Sequence, residues 1–183
     1  MLVVWILVGV VAFVLLWGVV TYNRLVSLRN RVDNGWSQID VQLRRRYDLI
    51  PNLVETVEGY AQHERELFES VAEARSQAMG ATAIDDQAQA ENAITAGLGK
   101  LIAVAEQYPD LKANQNFLAL QEELIGTESK IAYARQFYND QGMRLNTLIQ
   151  QFPARVIAGW GHFEPRTFFD IEDAVRRPVQ VEF

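Results

Sequence analysis

From Leu2 to Val20, all 19 residues are apolar or glycine. A helix of that length rises about 28 Å, close to the hydrocarbon thickness of a bilayer. Trp5 and Trp17 lie toward the two ends of the run, and Tyr22 and Arg24 follow it. Those are positions where amphipathic rings and a cation anchor a helix at the membrane interfaces. A cleaved signal sequence fits less well. No basic segment stands between Met1 and the run, and Leu16-Trp17-Gly18-Val19-Val20-Thr21 offers no small-x-small cleavage site. A single transmembrane helix over residues 1–21, with a minimal N-terminus, is therefore expected. Arg24, Arg29 and Arg31 precede the first acid, Asp33. The positive-inside bias then places residues 21–183 in the cytoplasm.

Beyond the run the apolar positions recur at helical spacing. Leu25, Leu28, Val32, Trp36, Ile39, Leu43, Tyr47 and Ile50 form one stripe, with a period of about 3.6 residues, that of a helix and not of a strand. The stripe continues through Val54, Val57, Ala61, Phe68, Val71, Ala74 and Ala78. Pro51 either kinks one long helix or begins a second, and Ile50 is a poor N-cap, which favours the kink. Gly80 to Asp86 reads as a loop. Residues 87–107 read as a helix with Ala90, Ile94, Leu98, Leu101 and Ala105 on one face, although Gly97 and Gly99 weaken it. Tyr108-Pro109-Asp110 turns the chain, with Asp110 as the expected N-cap of a helix running to Phe152. Its seam is Phe117, Leu120, Leu124, Thr127, Ile131, Ala134, Tyr138, Gln141, Leu145, Leu148 and Phe152. That 3-4 alternation predicts long antiparallel packing within the chain, or an intermolecular bundle registered by Thr127 and Gln141. Pro153 stops the helix. From Pro153 onward the chain holds three of the five prolines and is expected to be irregular, and Val179–Phe183 alternates as a short edge strand or docked segment would. The predicted class is all-α: an N-terminal transmembrane helix, a long antiparallel bundle of three to four helices over 22–153, and a tail over 154–183 packed on it.

Composition changes the picture chiefly by excluding chemistry. The 183 residues include no Cys, so disulfide frameworks, thiolate metal sites and a thiol nucleophile are absent. A sequence pI near 5.0 argues against a nucleic-acid partner. The 17 basic and 23 acidic side chains all lie beyond position 20 and give a net charge of −6. They are segregated: residues 21–50 carry six basic and three acidic groups, residues 51–110 three and eleven.

The remaining motifs fail on geometry. His63-Glu64 starts like a zincin motif, but position 67 is Leu. A ferritin-like Glu-x-x-His would need Glu at position 60, which is Tyr. His162 reads as a surface turn residue. Gly97-Leu98-Gly99-Lys100 lacks the flanking Gly and Ser/Thr of a phosphate loop. No catalytic residue, metal ligand or cofactor site is expected. Arg44, Arg45 and Arg46 fan over about 200° of a helix, so they cannot share one partner. They read as a solvated face with one arginine paired to an acid, or as a dock for the acidic 51–110 segment, within the chain or from a neighbour. Glu64, Glu66, Glu69 and Glu73 read as a solvated face, or as the surface that meets a basic partner.

Three blocks go beyond generic patterning. The first runs Asn30-Arg31-Val32-Asp33-Asn34, Trp36-Ser37-Gln38-Ile39-Asp40-Val41-Gln42-Leu43 and Arg44-Arg45-Arg46-Tyr47-Asp48-Leu49-Ile50-Pro51-Asn52-Leu53-Val54, then Tyr60-Ala61, His63-Glu64 and Ala74-Arg75. The second is Tyr108-Pro109-Asp110-Leu111-Lys112-Ala113-Asn114 with Phe117, Leu120-Gln121-Glu122-Glu123-Leu124, Thr127-Glu128, Arg135 and Tyr138-Asn139. The third is Phe152-Pro153, Phe168-Phe169, Arg176 and Pro178. Together they resemble the LemA family of bacterial membrane-anchored proteins over almost the whole chain. The stretch Ala158-Gly159-Trp160-Gly161-His162-Phe163 departs from the Phe-Gly-Phe type of sequence the resemblance leads one to expect. The resemblance implies one transmembrane helix and a long-helix bundle, and it implies no reaction. The expected function is a non-enzymatic, single-pass scaffold of the bacterial inner membrane that self-associates through its long helices. The alternatives are an accessory subunit of a membrane protease or other envelope enzyme, and a signalling module hinged at Pro51. Expected partners are the lipid bilayer, further copies of the chain and possible envelope proteins.

Overall fold

The computed structural model describes residues 1–169, and all regular structure among them is helical. The elements are α1 (Leu2–Glu58), α2 (Arg65–Gly80), α3 (Ile84–Ala105), α4 (Pro109–Lys112), α5 (Gln115–Gln150) and α6 (Ala154–Trp160). The expected strand or extended segment at 179–183 lies outside the described residues. The described chain divides into two compact units, one of Met1–Ile39 and Tyr133–Phe168, the other of Asp40–Ala132 with Phe169. Both α1 and α5 contribute residues to each.

In the first unit, the early part of α1 pairs with the late part of α5. Leu25, Leu28, Val32 and Ile39 are buried with Ala134, Tyr138, Gln141, Leu145 and Leu148. The helices approach most closely at Gly35, where a Cβ would lie 3.1 Å from Tyr138 Cα. The Trp36 and Tyr138 rings lie 5.6 Å apart. After α6 a strap without regular secondary structure, residues 163–168, is tied to α5. Asn146 Nδ2 donates to the Arg166 carbonyl at 2.9 Å, and the Arg166 N–H donates to Asn146 Oδ1 at 2.8 Å.

The second unit packs α2 and α3 as a hairpin with the later part of α1, α4 and the early part of α5. Gly97 sits where a Cβ would meet Val71 Cγ2 at 2.8 Å, so its place in α3 is a close-packing requirement and not a helix flaw. The α1 stripe from Leu43 to Val57 is buried there, Val54 only partly, together with Ala61, Phe68, Val71, Ala74 and Ala78.

Several boundaries differ from the sequence expectation. The apolar run and the first bundle helix are one element, and α1 continues through Pro51. It ends at Glu58, and residues 59–64 form turns before α2, where the pattern had suggested continuity. The α2–α3 connection is only Ala81–Ala83, so α3 begins three residues before the predicted 87. Asp110 is not the cap of the long helix. It lies in the first turn of α4, and Asn114 caps α5, its Oδ1 accepting from the Asn116 and Phe117 N–H groups at 2.9 and 3.2 Å. Because α5 ends at Gln150, Phe152 falls off the seam and is exposed, and α6 occupies part of the segment expected to be irregular.

How α1 tolerates Pro51 is visible one turn back. Proline has no N–H, so the Tyr47 carbonyl lacks its helical donor. Arg75 of α2 supplies one instead, Nε donating to that oxygen at 2.8 Å. Replacing Arg75 by Met should cost about 1.5–3 kcal/mol of stability, as for a hydrogen bond from a charged group. The loss should shrink in a Pro51→Ala background, where the alanine N–H takes over the carbonyl. A urea double-mutant cycle on the detergent-solubilised chain measures this, and zero coupling would refute the brace.

Candidate functional site

Adjacent helical residues point about 100° apart, and the three arginines divide accordingly. Arg44 Nη2 pairs with Asp40 Oδ2 one turn away at 3.0 Å, on the exposed side. Arg45, half-exposed, places Nη2 and Nε 2.7 and 3.2 Å from Glu123 Oε1 of α5. Arg46 turns inward and is 1% exposed. Its Nη1 donates to Glu91 Oε2 at 2.9 Å, and Glu91 is 0% exposed. Its Nη2 donates to Thr95 Oγ1 at 2.8 Å. Its Nε lies 2.9 Å from Glu128 Oε1, but neither atom makes an aligned hydrogen bond, so this contact is one of charge alone.

Tyr47, the next residue, completes the cluster. Its hydroxyl donates to Glu91 Oε1. Gln87 Nε2 donates to the Tyr47 hydroxyl at 2.7 Å and to Glu91 Oε1 at 3.0 Å. Residues 87, 91 and 95 recur at one helical turn, which puts all three on the same side of α3. The Glu91 carboxylate thus accepts from Arg46 on one oxygen and from Tyr47 and Gln87 on the other. Burial, reinforced by the hydrogen bond to Glu91 and by its charge, drives the Tyr47 hydroxyl far above its ordinary range and keeps it a donor. Burial also raises the Glu128 carboxyl; Arg46 opposes the shift and the Glu91 charge adds to it.

Chemically, this cluster is a clamp. A buried carboxylate whose two oxygens already take three donors has little capacity to act as a base, and the guanidinium is held by a carboxylate and a hydroxyl. Removing one partner of a buried pair exposes the full desolvation cost of the other, about 3–5 kcal/mol. The exposed Arg44–Asp40 and Arg45–Glu123 pairs are each worth about 0–1 kcal/mol.

The basic triplet therefore meets Asp40, Glu123, Glu91 and Glu128. Of these only Glu91 belongs to the acidic 51–110 segment. Glu66, Glu69 and Glu73 lie on the exposed side of α2 and Glu64 just precedes it. Glu69 accepts from Arg65 at 2.8 Å and Glu73 from Gln77 at 3.3 Å. Among the interfacial residues, Trp5 is exposed, Trp17 half-covered and Arg24 exposed, while Tyr22 meets Phe163 edge-on at 5.7 Å. Pro51 is exposed on α1. His63 and His162 are exposed, and His162 adopts φ 52° in the turn after α6. No group of three His, Asp or Glu able to hold a metal occurs among the described residues.

Glu91, Thr95, Gln87, Tyr47 and Glu128 are the residues that sequence reasoning did not assign to this cluster. A signal existed. Arg46 falls between Leu43 and Ile50 at spacings of three and four, inside the apolar stripe, and Glu91 falls three residues before Ile94 and seven before Leu98, on the same face of the helix. A charge in a stripe is a buried charge in need of a partner.

Comparison with known proteins adds the family. The LemA family model matches residues 35–183. Similar chains include magnetosome protein MamQ 2 of Paramagnetospirillum magneticum, 24% identical over 184 residues, covering 86% of this chain and 68% of the relative. Magnetosome protein MamQ of Magnetospirillum gryphiswaldense is 23% identical with the same coverage. Protein LemA of Metamycoplasma hominis is 27% identical over 138 residues, covering 74% of this chain and 63% of its own.

Glu91 and Glu128 should respond oppositely to substitution. Glu91→Gln removes the charge that balances Arg46 and should lower stability at pH 7 by about 3–5 kcal/mol. Glu128 binds its proton more tightly folded than unfolded, so its contribution is fully present below the ordinary value of 4.5 and is lost as pH rises through the raised value. Glu128→Gln should flatten that fall and be neutral or stabilising at pH 7. Urea midpoints measured from pH 4 to 8 check both, and equal losses from the two variants would contradict the assignment.

Proposed function

The chain belongs to the LemA family, and on that premise we propose that it is a membrane-anchored helical scaffold of the bacterial envelope with no reaction of its own. One observation carries this reading. None of the apolar window of α1 is buried within the chain, while the later stripe of the same helix is buried in core. An uncovered run of that length calls for lipid. The span then crosses the inner membrane once, and the arginines that follow it favour a cytoplasmic location for residues 21–183.

Self-association fits the surface that remains. The α5 seam from Phe117 to Leu148 is largely buried inside its own chain, so it is not free to pair with a copy. On the opposite side of α5, Leu118 and Ile125 are 47% and 58% exposed and seven residues apart. That spacing brings them onto one face, as a helix-to-helix contact between two copies requires. The brace on Tyr47 favours a stiff scaffold over a hinge at Pro51. That similar chains carry the name magnetosome protein fits a component of a larger assembly.

Sedimentation of the full chain in mild detergent and in nanodiscs tests this. The wild type should sediment as an oligomer. Leu118→Glu with Ile125→Glu should weaken association at least about tenfold, about 1.4 kcal/mol, with helical circular dichroism unchanged. A wild type that is monomeric in both media overturns the self-association. Cross-linking in native membranes separates a homo-oligomer from an accessory subunit bound to an envelope enzyme.

A further inference from the structure

Helix α6 is apolar on the side that ought to be polar. Its packed residues are Ala154 and Ala158, both buried, and the part-buried Ile157. A helix covering a water-facing surface would set charged and polar groups opposite them. Instead Val156 is 63% and Trp160 is 80% exposed, and Phe152, just ahead of the helix, is 86% exposed. Val156 and Trp160 lie within about 40° of each other, on the side away from the two alanines. The one charged residue in the helix is Arg155, on the flank.

Its location explains the pattern. A Cβ on Gly18 would lie 3.7 Å from Ile157 Cδ1. The Tyr22 and Phe163 rings pack edge to face, and the Arg29 guanidinium carbon lies 5.3 Å from the Phe163 ring centre. Gly18 is two residues inside the end of the apolar run and Tyr22 is two residues outside it, each about 3 Å from Val20 along the helix. Thus Ile157 of α6 lies at the level where the apolar run ends, in a stretch where Leu16 and Val19 remain exposed.

We propose that α6 is a second membrane contact, a short helix lying in the bilayer interface beside the end of the span. This rests on reading Leu2–Val20 as a bilayer span. Phe152, Val156 and Trp160 enter the boundary between headgroups and acyl chains, where an indole ring is favoured. Arg155 keeps its stem along that apolar surface and extends its guanidinium to lipid phosphates. The strap held by Asn146 and the Tyr22–Phe163 contact fix the segment that follows α6, so the first unit meets the bilayer at two places.

The absence of cysteine allows a direct test. Single-cysteine variants V11C, S37C, V156C and W160C of the full chain are labelled with a small fluorophore. They are reconstituted in phosphatidylcholine–phosphatidylglycerol vesicles carrying nitroxides on the headgroup or deep in the acyl chain, and their folding is checked by circular dichroism. Labels at 156 and 160 should be quenched by the headgroup nitroxide at least about twofold more than the label at 37, as a helix buried at the headgroup–acyl boundary requires. The label at 11 should be quenched most by the deep nitroxide. If 11 is quenched and 156 and 160 match 37, the interfacial helix is overturned and the span survives. If 11 is not quenched either, the span falls and the interfacial helix falls with it.

Discussion

A buried arginine constrains the second unit more than any other residue. Arg46 is 1% exposed, and its guanidinium cannot shed its charge in a protein. Taking that charge out of water costs several kcal/mol unless donors and counter-charge are matched closely. The match is spread over helices: Glu91 and Thr95 on α3 and Glu128 on α5 all meet a side chain of α1. Apolar packing alone tolerates small slides of one helix on another. A one-turn slip of α3 would carry Glu91 about 5.4 Å from Arg46 and leave two charges buried without partners. The pair therefore contributes register more than net stability.

Tyr47 extends this constraint along the backbone. Its hydroxyl serves Glu91, and its carbonyl, freed by Pro51, is taken by Arg75 from α2. One residue thus couples α1 to α3 through its side chain and to α2 through its main chain. Proline in a helix is usually read as a kink or a stop. Here the missing bond is replaced from a neighbouring helix, so Pro51 becomes a point of attachment for α2.

The long stripes were legible in the sequence because burial in a helical bundle imposes a 3.6-residue period. Leu25 through Ile50, Ala90 through Ala105 and most of the Phe117–Leu148 seam are buried as that period requires. The same period concealed the breaks. From Val57 to Ala61 to Phe68 the spacing is four and then seven, so the stripe keeps phase across the turns at 59–64. Phe152 keeps phase with Leu148 as well, but α5 ends at Gln150 and releases it. Asp110 and Asn114 are both capping residues, and no local rule ranks them. Burial of Leu111 secures the short α4, which leaves Asn114 at the start of α5. Arg46 stands both in a run of three arginines and in the apolar stripe, and its place in the stripe carries the stronger information.

Outward faces separate the surroundings of different helices in the same chain. On α2 the exposed side carries Glu66, Glu69 and Glu73, opposite the buried Phe68, Val71 and Ala74, the ordinary arrangement for water. On α6 the packed side carries two alanines and the exposed side Val156 and Trp160. Scattered exposed apolar residues need no explanation in a soluble domain. A short helix with Val156 and Trp160 outward, against the end of a 19-residue apolar run none of which is buried, is a different case. Ala154, Ile157 and Ala158 face its own chain, and Val156 and Trp160 meet the medium. That is the inverse of a water-facing helix and the arrangement expected where the medium is itself apolar.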